Sequence, residues 1–508
     1  MTAGTEHADV VIVGSGPAGS TWARLIADLV PQATVLMVEA GPAVSEPPGT
    51  HVNTIVDAAA RDRAKVASQG PVRRAYQVDP AELRLLAHRL GHHGPITPHA
   101  GLFLLSAAQE GSPDFPGAAL ARNVGGMGAH WFGSCPRPYG PERIGFLGPA
   151  ALDDALGAAE RLLAVSAGQF AGSVAATRRE QVLGAVFDPG RAPDRWVQPM
   201  PLAVNREIPG SGQVGPAVVL GDLVGAGAGR GGFELRAETL CRRVVMTGGR
   251  ATGVELADLA TGRAYQVGAG QVVVAADSLR TPQLLFASGV RPAALGRHLN
   301  EHPYIAAIFA VDEAPGELGD PALEALMPAS GVTWIPFDGD RFPLHVQVHQ
   351  RADLLSAGLF LRQEIAATNR VEFSDAARDW QGLPSLRVHY ALSDRDRAGV
   401  DQAMDVAGDI ARACGGKLLD GWPQLMPSGS SLHYQGTVRM GAADDGQSVC
   451  DPGSRVWGTE NLYVAGNGLI PAATACNPTL TSVALAVLGA RGLAGRLNAG
   501  AGGAATAL

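Results

Sequence analysis

An imidazole and a carboxamide near the C-terminus have the chemistry needed to act on an alcohol. His433 lies in the run S-L-H-Y-Q-G-T-V-R-M-G at 431–441, and Asn477 comes directly before Pro478. A neutral imidazole, with an ordinary pKa near ~6.5, can accept a proton at neutral pH. A carboxamide both donates and accepts hydrogen bonds, so Asn477 could hold the same hydroxyl. The pair therefore indicates loss of a hydroxyl proton to His433 and of a hydride from the same carbon.

The segment around Asn477 predicts a helix that would support such a reaction. Asn477 is the expected cap and Pro478 the expected first helical residue, because proline has no N–H to leave unpaired there. A helix start presents free N–H groups and a partial positive charge to whatever precedes it. A reduced flavin, which gathers negative charge on one edge of its ring, would suit this position.

The N-terminal segment predicts a site for a dinucleotide. Residues 8–13 form a run that is apolar except at Asp9, which is typical of a central parallel strand. Gly14, Gly16 and Gly19 follow with the spacing G-x-G-x-x-G, and the next predicted strand ends at Glu39. These glycines would admit a pyrophosphate to a helix N-terminus, and Glu39 would accept ribose hydroxyls. The motif alone does not separate FAD from NAD.

A second glycine-rich loop lies at 122–131. Gly125, Gly126 and Met127 are followed by two further small residues and then by His130 and Trp131. Small side chains let a backbone lie flat against a planar ring. The alternative is a glycine turn beside a core tryptophan.

The middle of the chain has strand patterns of two kinds. Short strands with turn signals begin at Phe233, as in an antiparallel meander, and lead to a buried strand at 271–276. Alternating runs at 344–349 and 385–390 indicate half-exposed strands, whose histidines we predict to be surface or lining residues. A helix is predicted at 81–90, and His92-His93 beyond it is interpreted as a solvated loop.

The charge and the cysteine spacing bear on which partners the protein can bind. The net charge of −8 gives no electrostatic reason to bind nucleic acid, and the five scattered cysteines form no C-x-x-C pair that would indicate a zinc site. We expect no membrane span, since no run approaches the ~20 apolar residues required. The first residues lack the regions of a signal peptide, so a cytoplasmic location is the default expectation.

These motifs together resemble the glucose-methanol-choline family of FAD-dependent alcohol oxidoreductases. The resemblance rests on the glycine fingerprint with Glu39-Ala40-Gly41, the Gly125-Gly126 loop, residues 275–289 and the two C-terminal motifs. Asn477 stands where many members have a second histidine. That residue and the loop ending in His130-Trp131 are most similar to the pyranose oxidase branch, which includes oxidases of glucose and of C-glycosides.

The resemblance implies an α/β fold in which a Rossmann-like FAD-binding domain is interleaved with an α+β substrate domain built on an antiparallel sheet. The implied FAD-binding segments are 1–150, with a loop insertion at 43–120, 213–300 and 425–498. The implied substrate-domain segments are 151–212 and 301–424, and 499–508 is expected to be a flexible tail.

The resemblance also implies the site residues. His433 and Asn477 would face the flavin N5, which receives the hydride, and Cys241 would contact adenine through its backbone. Gly466-Asn467 would reach the pyrophosphate side. The full set expected to contact FAD is Gly14, Gly16, Gly19, Glu39, Gly125, Gly126, Met127, His130, Trp131, Cys241, Ala276, Gly466, Asn467, Pro478 and Thr479.

Some residues depart from the family pattern. Pyranose oxidases with covalent FAD read Ser-Thr-His before the tryptophan and threonine after it, whereas Gly128, Ala129 and Phe132 occupy those positions here. His130 is retained, so an 8α-histidyl link stays open, although non-covalent FAD is favoured. Asp277 stands where many members have glycine, and the sequence gives no reason for it.

The leading hypothesis is FAD-dependent oxidation of a secondary hydroxyl of a pyranose or glycoside to a ketone, with O2 or a quinone-type acceptor. One alternative is a dehydrogenase of an amino-sugar or another antibiotic-pathway alcohol. Others are a flavin-binding protein without redox turnover and an NAD dehydrogenase. The substrate, the oxidised carbon, the acceptor and the oligomeric state stay open.

Overall fold

The computed structural model describes residues 6–70, 106–107, 112–225, 232–311, 330–351 and 354–505. The helix predicted at 81–90 and the pair His92-His93 lie outside the described residues. The helices are α1 Pro17–Leu29, α2 Ala58–Ala67, α3 Pro149–Leu162, α4 Val174–Phe187, α5 Pro216–Leu220, α6 Asp277–Ala287, α7 Asp394–Ala413 and α8 Thr479–Ala505. The strands are β1 His7–Val13, β2 Val35–Val38, β3 Ser106–Ala107, β4 Ala119–Leu120, β5 Val165–Ser166, β6 Gln198–Pro199, β7 Leu202–Ala203, β8 Phe233–Arg236, β9 Thr239–Thr247, β10 Arg250–Asp258, β11 Ala264–Val274, β12 Tyr304–Val311, β13 Thr333–Ile335, β14 Leu344–Arg351, β15 Leu354–Leu361, β16 Arg370–Arg378, β17 Pro384–His389, β18 Gly416–Leu418, β19 Gln424–Leu425 and β20 Leu462–Val464.

The first large sheet combines parallel and antiparallel strands. Its order is β8-β2-β1-β11-β10-β9, and β20 pairs with β11. Strand β1 is parallel to β2 and to β11, whereas β9, β10 and β11 form the expected antiparallel meander. Strand β8 differs from the prediction, since it is parallel to β2 and so lies outside the meander. Three distant parts of the chain therefore meet in one sheet.

Apolar residues cover both faces of β1. Val11 and Val13 belong to one buried cluster, whereas Val10 and Ile12 belong to another that includes Trp22 of α1. Successive side chains of a strand point to opposite faces, so a central strand with two covered faces needs an unbroken apolar run. Residues 10–13 of β1 meet that requirement, whereas His7 and Asp9 near its start are exposed.

The turn after β1 is tight enough to require glycine. Gly14 has φ +102°, and a Cβ placed there would lie 2.3 Å from the carbonyl oxygen of Ala275. A Cβ on Gly19 would lie 2.1 Å from the carbonyl oxygen of Gly14. The two glycines thus bring the start of α1 against the end of β11.

The second large sheet is antiparallel. Its order is β18-β12-β15-β14-β13-β6, with β19 paired to β12, and buried residues of α7 pack on one face. Val346 and Val348 of β14 belong to that buried cluster. The two-residue period of a strand therefore places His345 and Gln347 on the opposite face.

Helix α8 is long and largely apolar. Residues 479–500 have a mean hydropathy of 1.3, so length and composition alone would allow this stretch to cross a membrane. The expectation that no run has this property was wrong. However, 67% of the stretch is buried inside the protein, where it packs against α1 and α3. Burial in a core accounts for the apolar sequence.

Candidate active site

The structure brings His433 and Asn477 together. The Nδ2 atom of Asn477 lies 3.2 Å from Nε2 of His433, although the two residues come from separate loops. An amide nitrogen is a donor, so in this arrangement Nε2 of His433 accepts and the ring proton lies on Nδ1. A substrate hydroxyl placed between the two side chains would meet one acceptor and one donor.

Asn477 does not cap the following helix, which corrects the prediction. Helix α8 begins at Thr479, one residue later than expected, and the backbone N–H of Ser482 donates to the carbonyl oxygen of Pro478 at 2.9 Å. The Oδ1 atom of Asn477 accepts instead from Nε2 of Gln347 at 2.8 Å. The oxygen and the nitrogen of the carboxamide thus both bond to side chains of the site and not to the backbone of the helix.

A second histidine, His302, holds the far side of the His433 ring. The two Nδ1 atoms are 3.1 Å apart, so the Nδ1 proton of His433 can be donated to His302. The Nε2 atom of His302 lies 3.1 Å from the Thr474 hydroxyl, and Gln435 contacts both. No pattern in the sequence indicated this role for His302.

Gln347 and His345 of β14 support Asn477 from the antiparallel sheet. The side chain of Gln347 lies 3.0 Å from Nε2 of His345 and accepts a hydrogen bond from Ser134 at 3.1 Å. The indole N–H of Trp334 donates to Nδ1 of His345 at 2.9 Å. We predicted a surface or lining role for His345, but it is fully buried in this network. The alternation of β14 was the signal that could have identified Gln347.

Burial keeps these imidazoles neutral. Desolvation lowers the pKa of His433 to about 3, and it likewise lowers the pKa of His345 to about 3. Desolvation and the neighbouring histidines hold the pKa of His302 well below its usual range. His433 is therefore present as the free base at neutral pH.

A buried carboxylate orients the segment before Asn477. Oε1 of Glu142 accepts the backbone N–H groups of Ala475 at 2.6 Å and of Cys476 at 3.0 Å, and Oε2 accepts that of Tyr139 at 2.9 Å. Glu142 is 1% exposed, so water does not compete for these bonds. No motif in the sequence indicated this role for Glu142.

The N-terminal fingerprint and the 122–131 loop meet at Ser15. Its hydroxyl donates to Glu39 at 2.7 Å and accepts the N–H of Gly125 at 2.9 Å. The other carboxylate oxygen of Glu39 accepts from Gly41 at 3.0 Å. A Cβ on Gly126, which has φ +50°, would lie 3.5 Å from Cα of Gly16. The predicted dinucleotide residues thus form one continuous surface.

Hydrogen bonds to distant parts of the chain hold Trp131 in place, and no sequence motif indicated these partners. Its carbonyl oxygen lies 2.9 Å from Nε2 of His51 and accepts from Nε2 of Gln213 at 3.0 Å, while its indole donates to Val214 at 2.8 Å. Met127 and Gly126 belong to a short 3-10 helix at Gly126–Ala129 that leads into this anchor. The expected ring-facing loop therefore has a fixed backbone.

Three of the other residues expected to contact a cofactor follow the carboxyl ends of neighbouring strands. Ala276 follows β11, and Gly466-Asn467 follow β20, which is parallel to β11. Cys241 is buried in β9, two positions beyond Thr239, whose N–H donates to the carbonyl oxygen of Glu39 at 2.8 Å.

The structure explains why position 277 can be an aspartate, which the sequence alone did not. Its φ is +67°, in the left-handed region that favours glycine and that Asp tolerates better than most residues. Its Oδ1 accepts the N–H groups of Leu279 at 2.6 Å and Arg280 at 3.0 Å in the first turn of α6. Aspartate therefore replaces glycine with a residue that also caps the helix.

The site leaves room where a dinucleotide would need it. A Cβ on Gly16 would come no closer than 4.0 Å to any heavy atom, and one on Gly466, with φ +110°, would meet nothing within 4 Å. Gly14 and Gly19, in contrast, contact the protein itself. The open glycines and the start of α1 thus fit a pyrophosphate, and Glu39 fits the adjoining ribose.

Comparison with known proteins establishes the family. Models described as GMC oxidoreductase match residues 223–304 and 366–486. A C-glycoside 3-oxidase from Microbacterium trichothecenolyticum is 46% identical, covering 97% of this chain and 97% of its own length. The chain belongs to the GMC oxidoreductase family. A C-glycoside 3-oxidase from Arthrobacter globiformis is 42% identical over 96% of this GMC oxidoreductase and 95% of the relative, and a pyranose 2-oxidase from Tricholoma matsutake is 31% identical over 97% and 94%.

Solved structures agree at the level of the fold. Pyridoxine 4-oxidase from Mesorbium loti matches with a TM-score of 0.63 at 18% identity, covering 96% of this GMC oxidoreductase and 99% of that chain. Formate oxidase from Aspergillus oryzae matches with a TM-score of 0.61 at 15% identity, covering 96% and 98%. The predicted fold class is confirmed, as are the family resemblance and its implication of an oxidoreductase that acts on a CH–OH group and uses FAD. The cofactor contacts of individual residues stay predictions.

Proposed function

We propose that this GMC oxidoreductase oxidises a secondary hydroxyl of a pyranose glycoside to a ketone, with C-glycosides as the substrate class and C3 as the oxidised carbon. Two relatives of 46% and 42% identity bear the name C-glycoside 3-oxidase. The observation that carries the proposal is the pairing of His433 with Asn477 at 3.2 Å, an acceptor and a donor that one hydroxyl can engage.

In the proposed reaction His433 is the base. The substrate hydroxyl replaces the direct contact between His433 and Asn477 and donates its proton to Nε2. The lowered pKa keeps this nitrogen free, but the same burial makes an imidazolium costly. The proton is therefore transferred only as the carbon–hydrogen bond breaks, and bound FAD supplies the acceptor for the hydride. A positioned base of this kind contributes about 10²–10⁴ in rate.

Asn477 would select the carbon that reacts. Gln347 holds its oxygen at 2.8 Å, so the carboxamide is fixed with Nδ2 directed at the base. That nitrogen can donate to the hydroxyl oxygen throughout the reaction. A fixed donor and a fixed base together define which hydroxyl of a pyranose ring lies in place.

We infer that FAD is held without a covalent bond to Nε2 of His130. The Nδ2 atom of Asn123 donates to the carbonyl oxygen of Val124 at 2.8 Å, which leaves Oδ1 facing Nε2 of His130 at 3.0 Å. A carbonyl-type oxygen accepts, so Nε2 carries the ring proton, and a covalent bond through Nε2 would require the loss of both that proton and this contact. Acid precipitation of the purified protein tests this inference: free flavin in the supernatant supports it, whereas flavin retained in the pellet contradicts it.

Anaerobic titration with a panel of sugars tests the proposed function. C-glycosides, matched O-glycosides and free glucose are each added to the yellow protein, and the visible absorbance of the flavin is followed. We expect bleaching by a C-glycoside and an NMR spectrum of the product that places the ketone at C3. Failure of every pyranose and glycoside to bleach the flavin would contradict the proposal.

We propose O2 as the electron acceptor. The relatives that bear the name oxidase support this assignment, although Phe132 replaces the threonine expected near the flavin in covalent pyranose oxidases. Peroxide formed in air in proportion to substrate consumed is the expected result. Turnover that requires an added quinone and yields no peroxide would instead favour the dehydrogenase alternative.

A further inference from the structure

Glu301 is a buried carboxylate that holds the loop carrying His433. It is 1% exposed. Its Oε2 accepts the backbone N–H of Gly429 at 2.6 Å, and its Oε1 accepts the N–H of Ser431 at 3.0 Å and the hydroxyl of Ser431 at 2.7 Å. The proposed mechanism uses none of these contacts.

The hydrogen bonds of Glu301 continue through Ser431 to the backbone of His433. The Ser431 hydroxyl that donates to Glu301 also accepts the backbone N–H of His433 at 3.2 Å. Leu432, between them, has φ +60°, a conformation that is costly for a residue other than glycine and persists only when its surroundings impose it. The carboxylate thus stabilises a strained backbone one residue from the imidazole.

The neighbours of Glu301 hold the same loop from its other side. The Asn300 N–H donates to Gln435 at 3.0 Å, and the Gln435 N–H donates to Asn300 at 2.8 Å. His302 meets the His433 ring at 3.1 Å. Three consecutive residues therefore hold this loop. Glu301 contacts the backbone before His433, His302 contacts its ring, and Asn300 contacts the backbone after it.

We propose that Glu301 is a positioning residue whose ionised carboxylate holds His433 in place, and that its protonation, rather than protonation of His433, sets the acid limb of the pH dependence of catalysis. The proposal rests on the proposed function of the site. A carboxylate has acceptor positions for all three donors, whereas a protonated carboxyl presents an O–H to one of them. Gly429 or Ser431 would then lose its acceptor, and the loop would be free to move.

The surroundings place this change in the neutral range. The titratable groups near Glu301 are the imidazoles of His302 and His433 and the phenols of Tyr390 and Tyr434, the latter donating to the Gly429 carbonyl at 3.0 Å. Burial raises the pKa of Glu301, and the hydrogen bonds from the loop lower it by a smaller amount, so that the pKa is about 7. The pKa of His433 is about 3, so the two groups titrate in separate ranges.

The test compares Glu301→Gln with Asp396→Asn. Asp396 is another buried carboxylate that accepts backbone N–H groups, but they are those of Glu364 and Ser393 rather than those of the loop at 429–433. Flavin reduction by a C-glycoside is measured anaerobically across pH. We expect the wild-type rate to fall as pH drops through about 7 and the Asp396→Asn variant to retain that limb. Glu301→Gln should lose the limb and be slower by about 10- to 100-fold throughout, since a small misplacement of a reacting group has effects of that size. An unchanged limb in Glu301→Gln overturns the proposal.

A shorter carboxylate and a substrate-free measurement complete the test. Glu301→Asp keeps an ionisable group, so it should keep the acid limb at a lower rate, and loss of the limb would count against the proposal. Because the pKa of Glu301 is raised in the folded state, its stabilising contribution is present below about pH 4.5 and is lost as pH rises to about 7. The Tm of wild type minus that of Glu301→Gln should therefore decrease as pH rises over that range. A Tm difference that stays constant across this pH range overturns the assignment of Glu301. This measurement needs no substrate, so its failure is distinct from failure of the proposed function, in which no sugar reduces the flavin.

Discussion

At the scale of single residues, the site depends on side chains whose hydrogen bonds are all directed to one another. Asn477 is the clearest case, since its two amide atoms contact Gln347 and His433 and neither contacts the helix. Asn477→Ala should leave FAD bound and slow flavin reduction by at least about tenfold, which corresponds to about 1.4 kcal/mol of lost transition-state stabilisation. Stopped-flow reduction by a C-glycoside measures this effect. Asn498→Ala, at the exposed end of the same helix, is the control, and equal rates in the two variants would contradict the role of Asn477.

The sequence identified His433 and Asn477 but not the residues that orient them. His433 and Asn477 were visible because each lies within a distinctive run. Gln347 and His302 belong to ordinary strand and loop patterns, and their distance from the pair in sequence hides the contact. The cap assigned to Asn477 was wrong because a better partner, the Gln347 side chain, comes from a strand that local helix rules do not consider.

At the scale of elements, the glycine turn after β1 has two kinds of glycine. Gly14 and Gly19 contact protein atoms, whereas a Cβ on Gly16 meets nothing closer than 4.0 Å. Gly16 has φ −63°, so alanine is not strained there. Gly16→Ala should therefore fold but bind FAD about tenfold more weakly, a loss of about 1.4 kcal/mol. Flavin fluorescence titration gives the dissociation constant.

Gly145→Ala is the matched control, because a Cβ at Gly145 also meets nothing within 4 Å and lies outside the glycine turn. Equal affinities in the two variants would mean that the pyrophosphate does not approach Gly16. The pattern G-x-G-x-x-G predicted this turn correctly because glycine spacing reports close backbone approach. The parallel pairing of β8 with β2 was not predictable from its four residues, since partner choice there is set by tertiary contacts.

At the scale of the whole molecule, buried neutral histidines make the fold sensitive to acid. His51 and His345 are fully buried and His302 nearly so. Desolvation lowers the pKa of His51 to about 4 and of His345 to about 3, and it lowers the pKa of His302 further below its ordinary value of 6.5. The unfolded chain therefore binds these protons first, and stability falls as pH drops below about 6.5. Glu301 acts in the opposite direction, as do the carboxyl groups of Glu39, Glu142, Glu180 and Asp277, whose pKa values are also raised by burial. The lowered pKa values of His130, His298 and His433 add to the effect of the first three histidines, so the histidines outnumber these carboxyl groups.

We expect the Tm of the protein to decrease between about pH 6 and pH 4. The pKa of His51 lies at the upper end of the three, so His51→Gln, which keeps a donor for Trp131, should weaken the decrease in that range. The exposed His7 gives the control variant His7→Gln. Thermal melts across pH measure the effect, and a flat Tm profile for the wild type would contradict it.

The most direct measurement is single-turnover flavin reduction by a C-glycoside in wild type and in His433→Ala, mixed anaerobically in a stopped-flow instrument. The His433–Asn477 geometry predicts that the variant stays yellow, with FAD bound, and that its reduction is slower by about 10²–10⁴, the contribution of a positioned base. Reduction of His433→Ala at the wild-type rate would contradict the central claim.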